Sequence, residues 1–199
     1  MYLLVFLDGF AYILERLVKM NRQMLDDMAA EVIHKHNIDP SNGYDIVSLA
    51  KAMGFFVATA ALDDNEDGFI IVNGNEKDVL GTGSSKVIVV NEARDQEMKR
   101  FIIAHELGHY SFNGKEKEIF AHRKNKDYLR SENEQEIDYF AASLLMPKDA
   151  FKEKNRVLSE EKKGLSARTL ELSRIFLAPL ESVLRRIEEL NLVISEDNL

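Results

Sequence analysis

Arg100-Phe101-Ile102-Ile103-Ala104-His105-Glu106-Leu107-Gly108-His109 is the stretch on which the reading of this 199-residue chain turns. Phe101 to Ala104 form an apolar run that reads as buried helix, and the pattern H-E-x-x-H follows. On a helix, His105 and His109 stand four residues apart, so their rings leave one face a turn apart. Two imidazoles in that relation can close on one metal ion. Glu106 is rotated by about 100° from His105. It reaches a water at the metal without sharing the ion with both histidines. The pattern therefore divides labour: two ligands, His105 and His109, and one general base, Glu106, for hydrolysis at Zn2+.

A third ligand is expected, because a catalytic zinc takes three protein ligands and keeps one position open. The chain has no cysteine, which leaves His, Glu or Asp. Downstream, Ile137, Phe140, Ala141, Leu144 and Leu145 recur at helical spacing. Pro147 ends that helix, since the residue before a proline avoids the α region. Glu134 and Asp138 share one helix face. Glu134 is the candidate third ligand, and Asp138 the acceptor for the free N–H of a ligand histidine. Glu136, on another face, is the weaker candidate, its ordinary role being a solvated carboxylate.

The motif HELGH preceded by RFIIA, with E-x-x-x-D-x-F-A-A-x-L-L-M-P after it, resembles the ImmA/IrrE family of metallo-endopeptidases. The resemblance covers 21–193 and is most specific in the two motifs. It implies a gluzincin-like zinc site with His105, His109 and Glu134 as ligands and Glu106 as base. Many members carry Asn where this chain has Asp138; zinc proteases of the thermolysin type carry Asp there. The implied fold is α+β and zincin-like. It has a small antiparallel or mixed three-stranded sheet packed on the H-E-x-x-H helix, then a degenerate winged-helix-like C-terminal region. The implied activity is site-specific cleavage of an Xre-type helix-turn-helix repressor, in a mobile-element or stress-response circuit. The rival reading is a regulatory or toxin–antitoxin partner that binds a repressor without cutting it.

Composition narrows the setting. The net charge of −8 disfavours nucleic-acid binding through a basic surface. The absence of cysteine removes disulfides, Cys-ligated zinc and thiol nucleophiles, and is compatible with the cytoplasm. No stretch approaches the ~18 apolar residues of a membrane span. Residues 1–20 lack a basic n-region and are interrupted by Asp8, so a secretory signal is not expected. Leu3, Phe6, Phe10, Ile13, Leu14 and Leu17 suggest an amphipathic extension helix instead. The expected division is 1–20 as this extension, 21–147 as the metallopeptidase domain, and 148–199 as the C-terminal region. The last holds ten basic and ten acidic side chains, a neutral balance that favours protein docking over DNA reading.

Taken in order, helices are expected at 21–36 and 45–53, the second stopped by Gly54. Strands are expected at 55–62, 69–72 and 86–90, then the active-site helix at 92–110. An edge strand beside the metal can pair with an extended substrate, and Val87–Val90 or Phe69–Val72 is proposed for that role. The charged connector between Tyr110 and Asn133 reads as a loop over the cleft. His122 and Tyr110 there are candidate oxyanion donors, with surface or packing roles as the plainer alternative. Further on, 167–177 and 180–190 read as helices around Ala178-Pro179, and 192–194 as a short strand. Three tempting features are set aside. His34 and His36 point to different faces. Asp63 to Gly68 lacks the ligand spacing of an EF-hand and reads as a solvated acidic turn. Gly81 to Ser85 lacks the Lys-Ser/Thr of a phosphate loop and reads as a hairpin loop.

Overall fold

The computed structural model describes residues 22–72, 78–113, 119–123, 132–161 and 163–192. In chain order these form α1 (22–35), α2 (Ile46–Ala52), β1 (Phe56–Ala60), β2 (Glu66–Val72), β3 (Lys86–Asn91), α3 (Gln96–Asn113) and β4 (Ile119–Arg123). Then come α4 (Glu132–Leu145), α5 (Lys148–Glu160), α6 (Leu165–Phe176) and α7 (Leu180–Glu189). The fold is α+β. Among the described residues, no helix is long and apolar enough to cross a membrane.

The sheet has four strands in the order β1-β3-β2-β4, not the three expected. β1 runs parallel to β3, and the other two pairings are antiparallel. The added strand is β4, inside the charged connector read as a loop. Its register runs from Ile119 opposite Ile71 to Arg123 opposite Glu66. It holds the short apolar run Ile119-Phe120-Ala121, which the charged residues on either side outweigh in the sequence. The order also corrects the proposed substrate edge. Val87–Val90 and Phe69–Val72 lie on the two inner strands, whose hydrogen-bonding sides are taken on both flanks; the sheet edges are β1 and β4.

The strands alternate as a two-sided sheet must. Ile70, Val72, Ile88 and Val90 face the main core, where Ile102, Ile103 and Leu107 of α3 meet them. Ile71, Val87 and Val89 face the other way and close on Val79. β2 begins at Glu66, earlier than expected, and draws Gly68 into the strand. A Cβ at Gly68 would lie 2.6 Å from the Val89 carbonyl oxygen and 2.7 Å from Ile102 Cγ2, so only glycine lets α3 sit this close to the sheet.

Helix boundaries follow their caps. Asp45 accepts from the Val47 amide at 3.0 Å to open α2, and Asp95 accepts from the Met98 amide at 2.7 Å to open α3. α3 starts later than expected because Asn91 first turns the chain, accepting from the Ala93 amide at 3.0 Å. α5 had no counterpart in the sequence reading. Its buried residues Phe151, Asn155 and Leu158 recur at helical spacing, but one of the three is polar and charged residues surround them. α6 ends where Leu177 turns left-handed at φ 51°, and Pro179, with φ preset for a helix start, precedes α7. Phe151, Leu158, Leu172, Phe176, Val183 and Ile187 join the same core as the helices before Pro147. The expected strand at 192–194 lies almost wholly, and the extension at 1–20 entirely, outside the described residues.

The contact that positions the site is α3 against α4. Gly108 sits at its centre: a Cβ there would lie 2.9 Å from Ile137 Cγ2 and 3.2 Å from Phe140 Cδ1. Ile137 is β-branched and stiff in a helix, so it cannot swing aside. Gly108→Val is expected to force the helices apart, at an overpacking cost of about 2 kcal/mol. Thermal denaturation should show the midpoint falling by about 4–8 °C. An unchanged midpoint would show that the helix packing does not depend on this glycine.

Candidate metal centre

α3 presents His105 and His109 one turn apart, and both are buried. Their Nε2 atoms lie 3.1 Å from each other. α4 brings the Glu134 carboxylate to the same point. Its Oε2 is 3.3 Å from His105 Nε2 and its Oε1 3.7 Å from His109 Nε2. Among the described residues, these three form the one group of three or more His, Asp or Glu side chains with ligand atoms this close together, all within 4.8 Å. For tetrahedral zinc with bonds of 2.0–2.2 Å, neighbouring donors are expected about 3.3–3.6 Å apart. The three observed separations bracket that range, so the donor set fits a single ion held on three sides. Glu134 is 27% exposed against 5% and 8% for the histidine side chains, which puts the more open side of the group at the carboxylate.

The orientation of His105 is fixed from behind. Its Nδ1 lies 3.0 Å from Asp138 Oδ1, and as N–H donor there it leaves Nε2 with a lone pair aimed at the centre. Burial draws the His105 pKa down, but the hydrogen bonds to Asp138 and Glu134, with the charges of Glu106 and Asp138, outweigh it and raise the pKa to about 10. The carboxylates that favour positive charge on this ring would also favour a cation beside it. Glu106 is fully buried beside His105 and contributes to that field.

Other residues singled out from the sequence fall elsewhere. Glu136 is partly buried and stands outside the donor group. Tyr110 turns to the sheet side: its ring meets Phe55 edge-on at 5.1 Å and its hydroxyl accepts from Lys86 Nζ at 2.7 Å. That is the packing role, not the oxyanion role. The His122 side chain lies outside the described residues. The Asp63 to Gly68 segment is held by protein groups: Asp67 accepts from Arg94 Nε at 2.7 Å, and Asn91 Nδ2 donates to the Glu66 carbonyl at 2.8 Å. The 81–85 segment leads into β3, with Gly81 and Gly83 at positive φ. His34 and His36 join no donor group among the described residues.

Sequence reasoning missed Arg185. This residue of α7 donates from Nη1 to Asp138 Oδ2 at 3.4 Å, on the oxygen that His105 does not use. Nothing in the local pattern of α7 signals it, because the contact spans 47 residues.

A profile described as the IrrE N-terminal-like domain, a peptidase family, matches residues 63–188. That span contains both histidines, Glu106, Glu134 and Asp138. No curated protein matches the chain. A solved structure described as a Mycobacterium tuberculosis transcriptional regulator is similar in fold, with a TM-score of 0.52 at 17% identity over 83% of this chain. The match takes up 46% of that protein's own length, so this chain spans less than half of it. With more than half of its residues inside the matching profile, the chain belongs to the ImmA/IrrE family.

Proposed function

We propose that this chain is a zinc-dependent endopeptidase. The observation that carries the reading is the triangle of His105 Nε2, His109 Nε2 and a Glu134 oxygen, spaced for one tetrahedral ion and backed by Asp138. Two imidazoles and one carboxylate suit zinc, whereas calcium and magnesium favour all-oxygen sites. When bound, zinc supplies a Lewis acid that polarises the scissile carbonyl and lowers the pKa of water towards ~7.

The chain's own residues do the rest. Glu106 takes a proton from the attacking water and passes it to the leaving amine, the work of a carboxylate held near the reacting atoms. Its burial keeps bulk water from competing for that proton. Asp138 holds His105 in the tautomer that turns Nε2 inward. The packing of Gly108 against Ile137 keeps Glu134 opposite the histidine pair. The sheet on one side of α3 and the donor helix α4 on the other support a zincin-like description. The helices α5 to α7 are in keeping with a degenerate winged-helix-like region.

Family membership supports a narrow protein substrate, an Xre-type helix-turn-helix repressor met in the cytoplasm. The test is incubation of the zinc-loaded protein with the repressor encoded beside its gene, followed by mass spectrometry of the products and a DNA-release assay. Site-specific fragments are expected. Release of DNA with the repressor intact would favour the non-cleaving regulatory partner.

A further inference from the structure

Two consecutive arginines fasten α7 to the helix that carries Glu134 and Asp138. Arg186 is fully buried. Its Nη2 meets Asp26 Oδ1 at 2.7 Å, and its guanidinium stacks 5.1 Å from the centre of the Tyr139 ring. Asp26 also accepts from the Tyr139 hydroxyl at 3.1 Å and from Ser143 Oγ at 2.8 Å. This cluster pins α1, α4 and α7 together beside Asp138, the neighbour of Tyr139. Arg185, the neighbour of Arg186, is thereby set over Asp138 and reaches its Oδ2 at 3.4 Å, while Oδ1 faces His105 Nδ1 at 3.0 Å.

We propose that Arg185 is a positioning residue of the metal centre, acting through Asp138 on His105. The inference rests on the metal reading given above. A carboxylate rotates about its last bond and can turn either oxygen to a histidine. A guanidinium holding one oxygen commits the other to the imidazole N–H. The Arg185 side chain is 40% exposed and the Asp138 side chain 12%, so the chain from surface to metal is arginine, carboxylate, imidazole. The C-terminal region thus completes the site from outside the two motif helices. Whatever docks on or shifts α7 changes how firmly His105 is held.

The experiment is a chelator-competition zinc titration on the full chain as wild type, Arg185→Gln, Asp138→Ala and the double variant, with thermal midpoints of the metal-free proteins. Loss of the direct partner of a ligand histidine costs about 10–100-fold in metal affinity, and a residue one contact further out is expected to cost about fivefold. Arg185→Gln should show that loss with its metal-free midpoint unchanged. Its effect should vanish in the Asp138→Ala background, which a merely structural role would not produce. Wild-type affinity in Arg185→Gln, or an undiminished loss on top of Asp138→Ala, overturns the inference while leaving the metal site standing. A wild-type protein that takes up no zinc overturns the metal reading, and this inference with it.

Discussion

Glu106→Gln should retain its zinc and lose about 10²–10⁴-fold in peptide hydrolysis, the usual share of a positioned acid–base group. The substitution keeps size and shape in a fully buried position, so packing is preserved. The amide cannot take up a proton, so water attack loses its base and the leaving amine its acid. Zinc should stay bound because all three donors remain, with only the contribution of the Glu106 charge to the field at His105 lost. Turnover of a fluorogenic or native substrate, read beside metal content, checks both halves. Undiminished hydrolysis would remove Glu106 from the chemistry and leave the proton transfer to another group.

His105→Ala, one residue away, should do the opposite and empty the site. It removes one of three donors together with the link to Asp138. A structural four-ligand zinc site is worth about 10–16 kcal/mol, so one ligand is worth roughly 3 kcal/mol and its loss more than a hundredfold in affinity. Competition with a chromophoric chelator measures this directly. If His105→Ala and Glu106→Gln proved alike in zinc affinity, the division into ligand and base would fail. The contrast between adjacent residues is the clearest consequence of helical geometry, which sends consecutive side chains about 100° apart.

The site was more legible than the frame around it. His105, His109, Glu134 and Asp138 could be singled out because each helix carries its pair at a spacing of four, and helix geometry turns that spacing into a shared face. Their meeting depends on Gly108, whose meaning in sequence is ambiguous until Ile137 and Phe140 are seen against it. β4 escapes notice because its apolar run, Ile119-Phe120-Ala121, is short and lies in a connector dense in charge. α5 escapes notice although Phe151, Asn155 and Leu158 recur at helical spacing, because one of the three is polar and the stretch around them is dense in charge. Arg185 and Arg186 were invisible for another reason. Their partners, Asp138 and Asp26, are distant in the chain, and a buried arginine looks in sequence like any solvated one.

Zinc content by mass spectrometry on wild type, Glu134→Ala and Glu136→Ala goes to the heart of the account, since the ligand set is what the chemistry hangs on. About one zinc per chain is expected in wild type and Glu136→Ala, and close to none in Glu134→Ala. Full occupancy in Glu134→Ala with loss in Glu136→Ala, or a wild-type chain that binds no metal, would contradict it.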